Sequence, residues 1–310
     1  MLDTLYGPGV TGKPQTATER ELVSQPDAWR VAGRQSAPEL ARVLTTSGPL
    51  AVAGCGTSWF VAQAIASLRE SAGHGPTDAY TPTEARLGRG YPELLVLSRS
   101  GTTTEVAELL EDRPAGTRAT AVVAVADTPV ARSADDVVVL DYADEASVIQ
   151  TRFATSVLAA VRAALGEDIE VLARSAEEAL TGPLPDGVHD AHQTVFLGTG
   201  WSIGLAHEAA LKLREGAQAW SESYPAMEYR HGPIALAEPG AFVWVFGDAP
   251  EGLVAQVEAT GATVVDDAVD PLVDLVRVHR LALERAIRRG LDPDRPRNLT
   301  RSVILRTPAL

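Results

Sequence analysis

Short apolar runs recur along the chain, and stretches with helical spacing follow them. In the first half the runs are Pro49–Gly54 (PLAVAG), Leu94–Ser98 (LLVLS), Ala121–Ala126 (AVVAVA) and Val137–Asp141 (VVVLD). Runs this short, without polar alternation, predict strands buried on both faces of a parallel sheet. Helical patterns cover Gly56–Arg69, Glu105–Glu111 and roughly Ser147–Leu165. Strand and helix in alternation predict right-handed βαβ units. Upstream, TERELVSQPDAWRVAG is helical with a break at Pro26, and residues 1–16 read as a surface arm.

The rhythm restarts after Thr181–Gly187 (TGPLPDG), the strongest linker in the chain. Strands are expected at Thr194–Gly198, Ala241–Phe246 and Ala262–Val265, and helices at Ile203–Trp220 and Asp274–Arg289. A last strand is expected within Ser302–Leu305 (SVIL). The segments AGCGTSWFVAQAIA and LGTGWSIGLAHEAA repeat one pattern of strand, Gly-x-Gly and helix, which duplication explains most simply. The expected organisation is an arm and helix over 1–30, a first α/β domain over 31–180, and a second with a tail over 188–310.

A length of 310 residues agrees with two domains at about 150 residues each. The net charge of −14, without a Lys/Arg run, argues against nucleic acid and anionic membranes as partners. It leaves room for a small phosphorylated ligand, because a local nest of amides holds a phosphate inside a negative field. Cys55 is the lone cysteine, so no internal disulfide forms. The start has no cationic and apolar leader pattern, and no apolar stretch approaches 18 residues or so, which together predict a cytoplasmic protein.

Three segments carry chemistry. Gly54-Cys55-Gly56-Thr57-Ser58 follows a strand and opens a helix, where free N–H groups and hydroxyls face an anion; a plain turn capped by Thr57 or Ser58 is the alternative. Ser98-Arg99-Ser100-Gly101-Thr102-Thr103-Thr104 is equally placed and offers five hydroxyls in seven residues, with a Thr102–Glu105 capping box as the alternative. Both loops fall at carboxyl ends of strands, where open α/β sheets bind ligands. Glu208, Lys212 and Glu215 share one helix face. They form either a solvated Glu–Lys pair or a carboxylate that moves a proton beside a tuning cation, and His231 is a candidate proton shuttle.

Other chemistries lack their residues. Gly54-x-Gly56 and Gly198-x-Gly200 miss the dinucleotide spacing, and no Walker loop or G-x-S-x-G elbow occurs. His189, His192 and His207 find no cysteine or paired carboxylate to complete a zinc set, so neither metal nor cofactor is expected. Cys55 stands at a helix start, where a thiolate gains stability, but reads better as a small packed residue.

The segments GCGTS, SRSGTTTEV, ALKLREGAQAWSESYPAMEYRHGP and LDPDRPRNLTRSV resemble the sugar isomerase (SIS) domain proteins, over about residues 20–305. More narrowly, they are similar to the isomerase half of glucosamine-6-phosphate synthase and its isomerase, deaminase and deglycase relatives. The resemblance implies two doubly wound, flavodoxin-like SIS domains with parallel sheets, a homodimer, and a 6-phosphosugar ligand. Ser98, Arg99, Ser100 and Thr103 would hold the phosphate, with Thr57 and Ser58 near the sugar and Val148 and Arg301 completing the binding set. Glu215 would transfer the proton between C1 and C2 beside Lys212, and His231 would assist ring opening from the partner subunit.

Two departures matter. No glutaminase portion or N-terminal cysteine nucleophile is present, so ammonia from glutamine is not expected. Arg301 stands where the family carries a tail lysine; it stays protonated and forms no imine. The expected function is isomerisation or deamination of an amino- or ketose-sugar 6-phosphate, and the alternative is a non-catalytic phosphosugar-binding module.

Overall fold

Residues 16–305 are described by a computed structural model of the protein. Nearly all of the expected N-terminal arm lies outside the described residues. Two helices, α1 (Ala17–Val23) and α2 (Gln25–Leu44), meet at Ser24. Pro26 sits in the first turn of α2, where its missing N–H has no helical partner to lose.

The first sheet follows, with β1 (Leu50–Gly54), α3 (Thr57–Ser71), β2 (Thr77–Tyr80), β3 (Glu93–Ser98), α4 (Thr104–Glu111), β4 (Arg118–Val123), α5 (Pro129–Ser133) and β5 (Asp136–Val139). All of its pairings are parallel, in the order β2-β1-β3-β4-β5. Two helices, α6 (Arg152–Ala164) and α7 (Ile169–Thr181), lead to the second sheet, which holds β6 (Gln193–Gly198), α8 (Ser202–Ala217), β7 (Ser221–Pro225), β8 (Ala241–Phe246), α9 (Leu253–Glu258), β9 (Thr263–Val265) and α10 (Pro271–Arg288). Its order is β7-β6-β8-β9, again parallel. In each sheet the order reverses beside the first strand, at β1/β3 and β6/β8, and the crevice at such a switch point is where this architecture binds ligands.

Strand alternation divides the core into layers. Leu50, Val52, Leu95, Leu97 and Val122 face one way; Phe196, Phe242, Trp244 and Phe246 face them from the second sheet. Between the two sets lie Trp29 and Leu40 of α2, Ile65 of α3, Phe153 and Leu158 of α6, Leu213 of α8 and Leu281 of α10, in one continuous cluster. The other faces carry separate cores, Ala53, Val96, Ala121 and Val123 under α4 and α5, and Val195, Val243 and Val245 near α9. Two sheets therefore share one middle layer of helices. The indole N–H of the wholly buried Trp29 donates to Thr155 Oγ1 at 2.9 Å, so α2 docks on α6 without an orphaned donor.

Gly204 marks the closest approach of the halves. A Cβ there would stand 2.4 Å from the carbonyl oxygen of Phe60, so only glycine lets α8 cross α3 at this distance. It belongs to helix packing, not to a phosphate-binding turn.

The structure departs from expectation in four places. The polar strands β2 (TDAY) and β7 (SESYP) are half-exposed partners of the buried β1 and β6, and their sequences lack an apolar run. The helix expected from Ser147 begins only at Arg152, because Glu145 Oε1 accepts the Thr151 and Arg152 N–H groups and shapes the preceding residues into a turn. The helix expected to reach Trp220 ends at Ala217, with Gln218 in the left-handed region at φ 48°. Ser302–Leu305 is not a strand: it lies along the Ser98–Thr104 loop, where Thr104 N donates to Val303 O at 3.2 Å and Leu305 N to Thr104 Oγ1 at 2.9 Å.

Candidate active site

Both glycine- and hydroxyl-rich loops sit at the tips of adjacent strands, β1 and β3. Gly56 holds φ 55° and ψ −122°, a backbone closed to other residues, and turns the chain straight into α3. Neither Thr57 nor Ser58 caps the helix. Instead Thr57 Oγ1 donates to Glu208 Oε1 and accepts from Lys212 Nζ, both at 3.2 Å. Likewise Thr103 is the N-cap of α4 but makes no side-chain cap bond, and no Thr102–Glu105 box forms. The hydroxyls of both loops are therefore not used up by helix ends.

Ser98 is buried, and its Oγ has no partner among the described residues. It lines a small cavity of about 30 Å³ with Ser58, Ser100, Thr103, Gln150 and Arg301. Ser100 Oγ accepts from Thr102 N at 3.2 Å and Thr102 Oγ1 at 3.1 Å, which fixes the loop. Arg99 does not extend into open space. Its guanidinium donates to Ser147 O at 3.0 Å, Val148 O at 3.3 Å and Arg301 O at 3.0 Å, and lies 3.6 Å from Glu145 Oε2. Only Nε lacks a partner. Val148 thus meets the site through its carbonyl. Gln150, which the sequence reading did not single out, leaves Oε1 unpartnered beside the same cavity.

The tail crosses this pocket. The Arg301 guanidinium donates to Asp144 Oδ1 and to Glu145 O, and the Thr102 and Ser302 hydroxyl oxygens lie 3.0 Å apart, within hydrogen-bond distance. Arg301 is an anchored strut at the rim.

On α8, Lys212 Nζ lies 2.6 Å from Glu215 Oε2 and 3.3 Å from Glu208 Oε1. This is no solvated pair: the side chains of Lys212 and Glu208 are 1% and 2% exposed, against 20% for Glu215. One buried ammonium faces two carboxylates. Burial pushes Glu208 up to about 7, with Lys212 pulling the other way. Burial also opposes the Lys212 charge, but the two carboxylates outweigh it and hold the ammonium above its ordinary range. Glu215 is the member of the cluster that reaches solvent, so a ligand can touch it.

His279 of α10, unmarked by the sequence, is buried beside the same lysine. Burial first, then the Lys212 charge, pull it down to about 3, so it is a neutral imidazole. Cys55 does not behave as a helix-start thiolate, since burial pushes its thiol up to about 11. His231 ends the short turn Glu228–His231, is exposed, and has no hydrogen bond or ion pair among the described residues; the chain does not bring it to Lys212 or Glu215. Among the described residues no cluster of His, Cys, Asp and Glu is arranged to hold a metal ion, and no helix is long and apolar enough to cross a membrane.

No profile of a known family matches the chain. It is 29% identical, over 341 aligned positions, to the isomerizing glutamine–fructose-6-phosphate aminotransferase of Pyrobaculum aerophilum, covering 92% of this chain and 56% of that protein. The chain spans about half the length of the curated relatives it matches. Among solved structures, glucosamine-6-phosphate deaminase of Thermotoga maritima superposes with a TM-score of 0.78 at 24% identity, covering 94% of this chain and all of that one. The C-terminal domain of glucosamine-fructose-6-phosphate aminotransferase from Francisella tularensis gives 0.77 at 19% identity, covering 92% and 99%. Loop positions, strand order and sequence likeness agree with the resemblance to sugar isomerase domain proteins: the chain is similar to the isomerase half of glutamine–fructose-6-phosphate aminotransferase and shares the fold of these solved structures.

Proposed function

We propose that the chain is a metal-independent isomerase or deaminase of an amino- or ketose-sugar 6-phosphate. The observation that carries this reading is the partnerless, buried Ser98 hydroxyl in a cavity shared with Ser58, Ser100 and Thr103, next to a helix bearing the Lys212–Glu215 pair. Hydroxyls and loop amides hold the phosphate, with Arg99 fixing the loop behind them. Phosphate binding then positions the reacting carbons, so remote binding energy serves the chemical step.

Glu215 removes the proton from C2 of the open-chain aldose and returns it to C1. Negative charge develops on the sugar oxygens in the enediolate, and the Lys212 ammonium is the counter-charge. Thr57 and Glu208 hold Lys212 in place from behind. Arg301 takes no part as a nucleophile; fixed on Asp144 and the Glu145 carbonyl, it holds the tail across the pocket rim. The first domain takes residues 31–180 together with the rest of α2, the second runs from 188 to the last described residue, and a second copy supplies His231 for ring opening, since in one chain that imidazole faces solvent.

The test is a thermal-shift screen with fructose 6-phosphate and glucosamine 6-phosphate against the unphosphorylated sugars, followed by turnover of the same compounds. A ligand at 100 times its Kd adds about 2.7 kcal/mol. Only the phosphorylated sugars are expected to do so, and Glu215→Gln is expected to lower turnover by about 10² to 10⁴ while keeping the shift. Equal response to unphosphorylated sugars, or unchanged turnover in the variant, overturns the reading. Arg301 at the tail lysine position favours a second one, a phosphosugar-binding module; a normal shift without turnover in the wild type selects it.

A further inference from the structure

His279 is 2% exposed, and neither of its ring nitrogens meets a hydrogen-bond partner among the described residues. A neutral imidazole carries one N–H and one lone pair, and burying both without partners is unfavourable. The ring borders a narrow cavity of about 10 Å³ between α8 and α10, which Lys212 lines from the other helix. Ile149, Leu283 and Pro293 close it with apolar groups, and no carboxylate lines it. A space of this size admits one water or a small shift of the ammonium.

The two helices bring these side chains together by register. Lys212 and Gly216 lie one turn apart on α8, as His279 and Ala282 do on α10. A Cβ on Gly216 would stand 3.5 Å from Ala282 Cβ, so the two faces are in contact.

Lys212 Nζ reaches three oxygens, Thr57 Oγ1 at 3.2 Å, Glu208 Oε1 at 3.3 Å and Glu215 Oε2 at 2.6 Å. The shortest contact is to the proposed base. Once Glu215 has taken a proton its charge is gone, and a hydrogen bond to a neutral carboxyl is about half as strong as one to a carboxylate. Lys212 thus loses its best acceptor when its charge is needed at the enediolate. A third carboxylate in its place would neutralise the ammonium further. A neutral imidazole accepts the N–H and adds no negative charge, and burial together with the Lys212 charge keeps His279 neutral.

We propose that His279 is a positioning residue for Lys212: across the cavity, directly or through one water, its unprotonated ring nitrogen accepts the ammonium N–H that Glu215 releases on protonation. The inference rests on the proposed function, since it takes Glu215 as the base.

The experiment is steady-state turnover of fructose 6-phosphate and glucosamine 6-phosphate by the full chain and by His279→Leu, His279→Asn and His279→Gln. Leucine fills similar space without an acceptor. It is expected to lower kcat about tenfold at unchanged KM, the mark of an interaction made in the transition state. Its urea midpoint and its thermal shift with fructose 6-phosphate are expected to stay at the wild-type values, because exchanging an unpartnered buried polar group for an apolar one of like shape is close to neutral. Asparagine and glutamine set an amide near the Nδ1 and Nε2 positions respectively, and one of the two is expected to recover most of kcat. A side chain that only fills space is not rescued in this way. Unchanged kcat in His279→Leu, or a loss that neither amide recovers, overturns this inference and leaves the proposed function standing. A wild type that turns over neither compound overturns the inference and the isomerase reading together.

Discussion

Gly54–Ser58 and Gly198–Ser202 are one turn built twice and put to different uses. Each follows the first strand of its sheet, and Gly56 and Gly200 share a φ of 55°. In the second turn Ser202 is spent on the fold: its Oγ donates to Phe246 O at 2.7 Å and accepts from Thr199 N at 2.9 Å. In the first, Thr57 reaches across to the charged cluster of the other half, and Ser58 lines the open cavity. The neighbouring strand tips differ more. β3 runs into Ser98–Thr104, rich in hydroxyls, whereas β8 runs into Gly247-Asp248-Ala249-Pro250, which has none. The fold offers a crevice in both halves, and the hydroxyl donors are concentrated in the first. The second half supplies α8 instead, which brings Lys212 to Thr57 of the first turn, with Glu215 beside the lysine.

The contrast can be broken by substitutions, and the largest effect is expected at the junction. Lys212→Met leaves Glu208 buried against Thr57 without its cation. Breaking a buried pair in this way costs about 3–5 kcal/mol, to be read from urea unfolding at pH 7.5. A loss under about 1 kcal/mol, the range of a surface pair, contradicts the burial of this cluster.

Next is the pH response of Glu208. Its carboxyl sits at about 7 in the folded protein against an ordinary 4.5, so the folded state favours the protonated form. The stabilisation is therefore complete below about pH 4.5 and fades as pH rises through about 7. Wild-type stability minus that of Glu208→Gln is expected to fall across this window, by something on the order of 3 kcal/mol. Denaturant titrations at pH 5 and pH 8 measure it; a difference that rises with pH refutes the assignment.

The two serines give the direct comparison. Ser202→Ala strands the Phe246 carbonyl and the Thr199 N–H, at a cost of about 1–3 kcal/mol in stability, with the ligand-induced thermal shift retained. Ser98→Ala removes a hydroxyl that has no partner, so its stability is expected to stay within about 0.5 kcal/mol of wild type while the phosphosugar shift falls. Reversal of this pattern, with Ser98 structural and Ser202 ligand-linked, overturns the division of labour between the turns.

Much of this was legible before the structure. Unbroken runs such as LLVLS and AFVWVF must be buried on both faces, and the parallel sheets follow from them. Edge strands β2 and β7 were illegible because a strand paired on one side and half-exposed keeps polar residues. The binding loops could be placed from hydroxyls and glycines after strands. The role of Arg99 could not, because its partners Ser147, Val148 and Arg301 lie 48, 49 and 202 residues away. Gln150 and His279 carried no local signal either, since each matters only for what it faces across a cavity.

By itself, the sequence determined which segments are strands and helices in the cores, where the glycine turns fall, and which residue types stand at the strand tips. These follow from local periodicity and from backbone conformations that only certain residues adopt. Tertiary structure alone decided that Glu208 and Lys212 are buried rather than solvated, that Thr57 joins them across the two halves, and that Arg301 is tied to Asp144 and Glu145. Spacing along a helix says which side chains share a face; only the packing of α3 against α8 decides whether that face meets water or another helix.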